Sequence, residues 1–157
     1  MTSFNPDDLL AIEHVENATI AAAGTRNMAT ADIPDVSEFE HMVLLAASGP
    51  ITGTSVTVDI SLQESDSQSS GFADITGHSG STYRFTDTGD ARLILAKLRL
   101  HGRKKYIRAQ IITAGTTPSA QITVLFALIK KQYTTGLLSA PFVTAYGATL
   151  VAPKGTT

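Results

Sequence analysis

The chain of 157 residues has no cysteine and no tryptophan, and aromatic residues make up only 6% of it. Without cysteine the protein forms no disulfide bond and has no thiolate for catalysis or metal binding. Its stability must therefore come from the burial of apolar residues, which account for 43% of the sequence, within one chain or between subunits. This length is typical of one domain with its own core.

Long apolar runs are also missing. No run is longer than the six residues of Val124 to Ile129, far fewer than the roughly 20 that a membrane-spanning helix needs. The first ten residues, MTSFNPDDLL, carry Asp7 and Asp8, whereas a signal peptide begins with basic residues followed by an apolar run. We expect a soluble protein that is made in a cytoplasm and has no membrane partner.

Acidic residues are nearly confined to the first half of the chain. Residues 1 to 80 hold twelve of the fourteen acids and one of the twelve bases, Arg26, and no acid follows Asp90. One interpretation, which we favour, is that acidic and basic strands are neighbours within one fold. The other is head-to-tail attraction between copies, because opposite surface potentials steer and specify association.

Catalytic and metal-binding patterns are missing too. The four histidines, His14, His41, His78 and His101, are scattered and lack the spacing of metal ligands. No GxSxG sequence occurs, and the sequence from His78 to Ser81, HSGS, is typical of a turn. The carboxylates at Glu64 and Asp66 fall in a polar loop that lacks the burial which acid and base catalysts use. We expect no enzymatic activity, no metal and no cofactor.

The sequence is organised around the stretch from His101 to Leu128. Two apolar runs, Tyr106 to Ile112 and Ile122 to Ile129, flank the segment AGTTPS, which is rich in residues that reverse a chain. The pattern predicts a β-hairpin. The second run is apolar on both of its faces, so we expect another layer or another subunit to cover it.

Other segments add further strands. Val56, Val58, Ile60 and Leu62 alternate with polar residues, which predicts a strand with one face in solvent. We predict about eight strands and no long helix, hence an all-β fold, an antiparallel β-sandwich or jelly roll. The remaining predicted strands are Ala18 to Gly24, Asn27 to Ile33, Phe39 to Ala46, Phe72 to Ile75, Thr82 to Phe85 and Ala91 to Leu100.

Three regions are predicted along the chain. Residues 1–35 form an N-terminal arm with the first short strands, and the stretch from Asn5 to Asn17 fits a short helix or an extended segment. Residues 36–133 form the β-body. Residues 134–157, small and apolar with one charge at Lys154, form either a final strand pair or an arm that pairs with another molecule.

The strongest basic cluster is the sequence GRKKY, from Gly102 to Tyr106. Clustered bases supply nonspecific affinity for nucleic acid, but the pI near 6.0 and the few aromatic residues argue against that partner. Bases at a strand edge also deter unwanted sheet pairing. We favour this role, or contact with an acidic protein surface, over nucleic acid.

Four segments together resemble capsid decoration, or cement, proteins of tailed bacteriophages. These segments are Val56 to Ser67, Gly71 to Gly77, Leu100 to Ala109 and Ala114 to Val124, and the most distinctive sequences in them are LQESDS, GRKKYIRA and GTTPSA. The resemblance covers about residues 38–130. It implies a β-sandwich or jelly-roll body that binds the outside of the major capsid shell.

The resemblance further implies a structural protein of the virion exterior, present in the host cytoplasm during assembly. Its partners would be the major capsid protein and other copies of itself, with which it would form a trimer. A cement protein adds buried area across capsomer boundaries, so that separating the capsid subunits must also expose its interface. We expect capsid or subunit contacts at Phe4, Leu9, Leu10, Ile12, Arg103, Lys104, Lys105, Leu137, Leu138, Phe142, Val143 and Tyr146.

Two alternatives remain open. One is a tail or head-tail component that assembles into tubes or rings. The other is a carbohydrate-binding β-sandwich in which Tyr83, Phe85 and Tyr106 would supply a poor aromatic platform. A hydrolase would need an activity that depends on His78 or His101.

Overall fold

The computed structural model describes residues 10–89 and 93–130, with the backbone alone for residues 10–18. Within these residues it contains two 3-10 turns, Thr30–Asp32 and Gly80–Thr82, and eight strands. The strands are β1 (Leu10–Ile20), β2 (Gly24–Asn27), β3 (Phe39–Ser48), β4 (Thr52–Ser65), β5 (Ala73–Asp74), β6 (Arg84–Thr86), β7 (Leu93–Arg99) and β8 (Tyr106–Lys130).

Strand β8 is the centre of the sheet. One of its edges pairs with β1 and then β2. Along its other edge, β8 pairs with β3 and then with β4. This pairing begins with Phe39 opposite Lys130 and ends with Ser65 opposite Tyr106. On the outside, β7 pairs with β3, while β5 and β6 pair with β4. All eight strands form one antiparallel, curled sheet.

The sheet has two halves that share one core. The β3 half consists of β1, β3, β7 and the last part of β8, and the β4 half consists of β2, β4, β5, β6 and the first part of β8. Buried side chains of both halves belong to a single apolar cluster. Its largest fully buried members are Phe85, Phe126, Met42, Leu44, Ile60, Leu62, Ile75, Ile107, Ile122 and Leu128.

A bend joins the two halves. At 25 residues, β8 would be about 80 Å long if straight, so it must bend if one core is to cover it. Four residues near the bend have positive φ: Gly53 and Ser55 in β4, and Gly115 and Thr117 in β8. The β4–β8 register shifts at the same place, between Thr52 and Thr57, so the two paired strands bend together through bulges.

The predicted hairpin is therefore wrong. Tyr106 to Ile112 and Ile122 to Ile129 are two parts of one strand, and the segment AGTTPS bends that strand without reversing it. A reversal would pair the two runs with each other, whereas each of them pairs with β3 or β4 on one side and with β1 or β2 on the other. Pro118 is buried at the bend, where a bulge tolerates its missing N–H.

The alternation in β4 is confirmed on one face only. Val56, Val58, Ile60 and Leu62 are fully buried, as predicted. The opposite face is not all in solvent, because Ser61 and Gln63 are buried too. The segment after β4 covers them: the Gly80 backbone N–H donates to Ser61 Oγ, and Gln63 Nε2 donates to Asp74 Oδ1. Alternation identified the inner face but gave no sign of this covering segment.

The first predicted strands are displaced. Leu10–Ile20 is one strand, so the extended interpretation of the N-terminal stretch holds from Leu10 onward. The predicted strand from Asn27 to Ile33 instead contains the 3-10 turn Thr30–Asp32. Because β1 and β2 pair with β8, residues 10–27 belong to the same sheet as the body, while residues 134–157 lie outside the described part. The predicted all-β, antiparallel class is confirmed, whereas the sandwich or jelly-roll form is not.

Candidate protein-contact surface

One face of the β3 half is apolar and directed away from the core. Leu45 of β3 is paired with Leu125 of β8 and with Leu95 of β7, so the three side chains form a row across the sheet. The next row on this face holds Val43 and Ala127 beside Lys97, and the row on the other side holds Ala47 and Leu93 beside Thr123. We call this set the outer apolar face: Val43, Leu45, Ala47, Leu93, Leu95, Leu125, Ala127 and Ile129.

This face is much more exposed than the face on its other side. Leu93 and Leu95 are 57% and 49% exposed, and they are the exposed large apolar residues among those described. Leu125 and Ile129 are half-buried, whereas Phe126 and Leu128, which alternate with them, are at most 1% exposed. Contiguous exposed apolar surface of this kind marks contact sites in soluble proteins.

The outer apolar face has a basic end. The row at this end holds Ile129, His41 and Arg99, and Lys97 lies one row further in. Burial, together with the positive charges of Lys97 and Arg99, lowers the pKa of His41 below its ordinary value, although Glu40 partly opposes this effect. The Nδ1 atom of His41 is buried and has no hydrogen-bond partner within the described part of the chain. The neutral form of His41 is therefore favoured.

The predicted charged anchors lie in the turn that precedes β8. Arg103 Nη1 is 3.5 Å from Glu64 Oε1, Lys104 Nζ is 3.6 Å from Asp66 Oδ2, and Lys105 Nζ is 3.2 Å from Asp35 Oδ2. The Lys104 backbone N–H also donates to Glu64 Oε2 at 3.3 Å. Each of the three bases thus has a carboxylate partner in its own chain.

The Asp35 end of this turn is stabilised by several groups. Burial would raise the pKa of Asp35, but hydrogen bonds from Ser37 and the charge of Lys105 outweigh it and hold the pKa below its ordinary value. In return, Asp35 and the neighbouring Tyr106 raise the pKa of Lys105. Both partners therefore stay charged near neutral pH.

Ion pairs in the structure join the acidic and the basic parts of the sequence. Arg84 forms two hydrogen bonds with Asp59, from Nε at 2.6 Å and from Nη2 at 2.8 Å. This pair and the three in the turn before β8 each link an acid from the first 80 residues to a base from the remainder. For these four pairs, the interpretation of acidic and basic strands as neighbours within one fold is confirmed.

The structure describes only part of the predicted contact set. Arg103, Lys104 and Lys105 come together in one turn. Leu10 and Ile12 lie in β1, opposite Ile129 and Ala127. Seven predicted residues lie outside the described part of the chain: Phe4, Leu9, Leu137, Leu138, Phe142, Val143 and Tyr146.

Sequence reasoning missed the leucines of β7. Leu93 and Leu95 share a face with Lys97 and Arg99, and charged side chains at alternate positions are typical of a strand face in solvent. A signal was available in the sequence FEHMVLLA, from Phe39 to Ala46, which is apolar on both faces like the second run of β8. Two such strands side by side make a sheet that is apolar on both sides.

The residues proposed for sugar binding or hydrolysis are buried or paired with other side chains, which does not suit those functions. Phe85 is only 1% exposed, so it cannot stack on a sugar. The Tyr83 hydroxyl is hydrogen-bonded to His78 Nδ1, and Lys105 Nζ lies 5.3 Å from the centre of the Tyr106 ring. The partner of His78 is thus a phenol and not the carboxylate of a catalytic triad.

The described residues include neither a metal-binding cluster nor a membrane-spanning helix. No group of three or more His, Cys, Asp or Glu residues there is arranged to hold a metal ion. None of the described helices is long and apolar enough to cross a membrane.

Comparison with known proteins adds no relative. No protein-family model matches the chain, and no curated protein matches it either.

Proposed function

We propose that the chain is a structural protein of a tailed-bacteriophage virion, a cement protein that binds the outside of the major capsid shell. The observation that carries the proposal is the outer apolar face, where Leu93 and Leu95 are about half exposed. Such a face suits a protein that works by contact with other proteins. The bacteriophage context comes from the sequence resemblance over residues 38–130.

A cement protein stabilises a shell by burying surface across the boundaries between capsomers. At ~25 cal/mol per Å², an interface of standard size supplies on the order of tens of kcal/mol gross, and the net gain is much smaller because association costs entropy. The charges of the turn before β8 are compensated within the chain. The assembly would therefore depend mainly on apolar contacts, those between copies of the chain included.

Co-sedimentation with capsid shells tests this proposal. Shells of the phage that encodes the chain, stripped of this protein, would be mixed with the purified full-length chain and pelleted, with serum albumin as the control. We expect the chain to pellet with the shells and to raise the temperature at which they break down. Recovery of the chain in the supernatant at every concentration would reject the cement function. Tubes or rings of the chain alone in electron micrographs would support a tail or head-tail component.

A further inference from the structure

We propose that the outer apolar face is covered by the same face of a second copy of the chain. The inference rests on the proposed function only in taking the chain to be an assembling protein. It assigns this face to self-association and leaves other surfaces for the shell. Three properties of the face point to a second copy: its chemistry, the placement of its charges and its size.

The chemistry of the face is that of a sheet that packs against another sheet. Its side chains are valine, alanine, leucine and isoleucine, in registered rows across β7, β3 and β8. Sheets that pack face to face lie about 10 Å apart, with apolar side chains between them. A second copy supplies a face of the same width and composition.

The charges favour an antiparallel, two-fold arrangement. His41, Lys97 and Arg99 lie at one end, whereas the row at the other end holds Ala47, Leu93 and Thr123. Arg99 and Leu93 are six residues apart, or about 20 Å along a strand, which exceeds the screening length of about 8 Å at physiological salt. A two-fold axis near Leu45 places each basic end over the uncharged end of the partner, so like charges stay apart.

The size of the face predicts a reversible pair. Three strands spaced 4.8 Å apart, each spanning seven residues, give a footprint of roughly 300 Å² on each copy. Together the two footprints lie below the ~1,200–2,000 Å² of standard interfaces, in the range where association is weak or transient. We therefore expect a pair that forms and dissociates with concentration.

Sedimentation equilibrium of the full-length chain between about 1 and 300 µM tests the inference. We expect the mass to rise from that of one chain, 16.5 kDa, towards twice that value. Leu95→Lys places a charge near the proposed axis, and it should keep the chain at the mass of a monomer over the same range. Thr82→Lys adds the same charge at an exposed position in the turn Gly80–Thr82, away from this face, and should pair like the wild type.

Folding is checked separately, by the thermal midpoint of each variant at low concentration. Because Leu95 is 49% exposed, the lysine side chain can stay in solvent and the midpoint should change little. Leu93→Ser, at the other exposed leucine, provides a second variant without added charge, and it should weaken the pairing several-fold.

The outcomes separate this inference from the proposed function. A monomer at every concentration, a mass of three chains, or a pair that Leu95→Lys leaves intact would each overturn the two-fold pairing, whatever happens with shells. Loss of shell binding by Leu95→Lys in a chain that is monomeric throughout would overturn it too and assign the face to the shell. A pair that Leu95→Lys disrupts upholds the inference even if stripped shells fail to bind the protein.

Discussion

At the scale of single residues, Gly115 is the position where the bend tolerates least change. Its φ is +115°, and an added Cβ would lie 2.8 Å from the Val56 Cα and 2.9 Å from the Ser55 carbonyl oxygen. We predict that Gly115→Ala lowers the free energy of unfolding by about 3 kcal/mol, because backbone strain and a clash with the backbone of β4 add together. Urea unfolding measures the loss.

Gly77→Ala is the matched control for this prediction. Gly77 also has a positive φ, +80°, but an added Cβ there would meet no atom within 4 Å. The control should therefore lose only about 1 kcal/mol, from backbone strain alone. Equal losses in the two variants would mean that the close approach of β4 and β8 contributes nothing.

His41 makes stability depend on pH. Burial, and then the charges of Lys97 and Arg99, hold its pKa below the ordinary value of 6.5, against the opposing effect of Glu40. As the pH falls through 6.5, His41 becomes protonated in the unfolded chain but stays neutral in the folded chain. The free energy of unfolding therefore decreases until the lower folded pKa is reached. Above that window this group contributes nothing.

We predict that His41→Gln flattens the pH dependence of stability between about pH 7 and pH 5, above the range where carboxylates dominate. Urea unfolding at low protein concentration, at half-unit steps of pH, checks this. The variant should keep a residual slope, because the pKa of His78 is also lowered by burial and by Arg103. Parallel slopes in wild type and variant would contradict the assignment to His41.

At the scale of elements, the turn before β8 is stabilised through Glu64. Its side chain is 18% exposed and meets both the Arg103 guanidinium and the Lys104 backbone N–H. We predict that Glu64→Gln costs about 1 kcal/mol in urea unfolding, since a charged acceptor is lost at a half-buried site. Asp66→Asn makes the same chemical change at a side chain that is 79% exposed. That variant should cost less than about 0.5 kcal/mol, and a larger loss there than at Glu64 would refute the ranking.

Strand β8 shows how far the sequence predicts the elements. Alternation in the first apolar run of β8 places Ile107 and Ile111 on one face, which is the buried one, and Arg108 on the other, because the side-chain period of a strand is a local property. The connection between the runs was not predictable in the same way. Gly115 and Pro118 favour a reversal on their own, and only the matching bulge at Gly53 in β4 makes a bend possible. That information is spread over about sixty residues of sequence.

The sequence predicted that a second apolar face exists, but it did not predict that residues of β7 lie on it. The second run of β8 is apolar on both sides, and that pattern correctly predicted a second apolar face, with Leu125 and Ile129 on it. The leucines of β7 could not be assigned to this face from sequence, because Lys97 and Arg99 alternate in step with them. Their position follows from pairing between β3 and β7, with Leu45 opposite Leu95, which is a property of the fold.

At the scale of the whole molecule, one long strand and one core should make the protein unfold as a single unit. Strand β8 belongs to both halves of the sheet, and buried residues of both halves form one cluster. Opening either half would therefore break backbone pairing along β8 and expose the core side chains of the other half. If the predicted boundary at residue 36 also separated two unfolding units, β1 and β2 would have to open separately from β8.

Two matched core substitutions test this cooperativity. Ile60→Val lies in the β4 half and Ile122→Val in the β3 half, and both isoleucines are fully buried. We predict that each lowers the free energy of unfolding by about 1 kcal/mol, and that each speeds hydrogen exchange of the slowest amides in both halves by the same factor, about fivefold. In a molecule of two units, Ile60→Val would change exchange in the β4 half alone and the urea transition would split. Hydrogen exchange changes in both halves only if β8 transmits the loss of stability through the bend. The same measurement therefore also tests whether Gly115 and Gly53 join the halves rigidly.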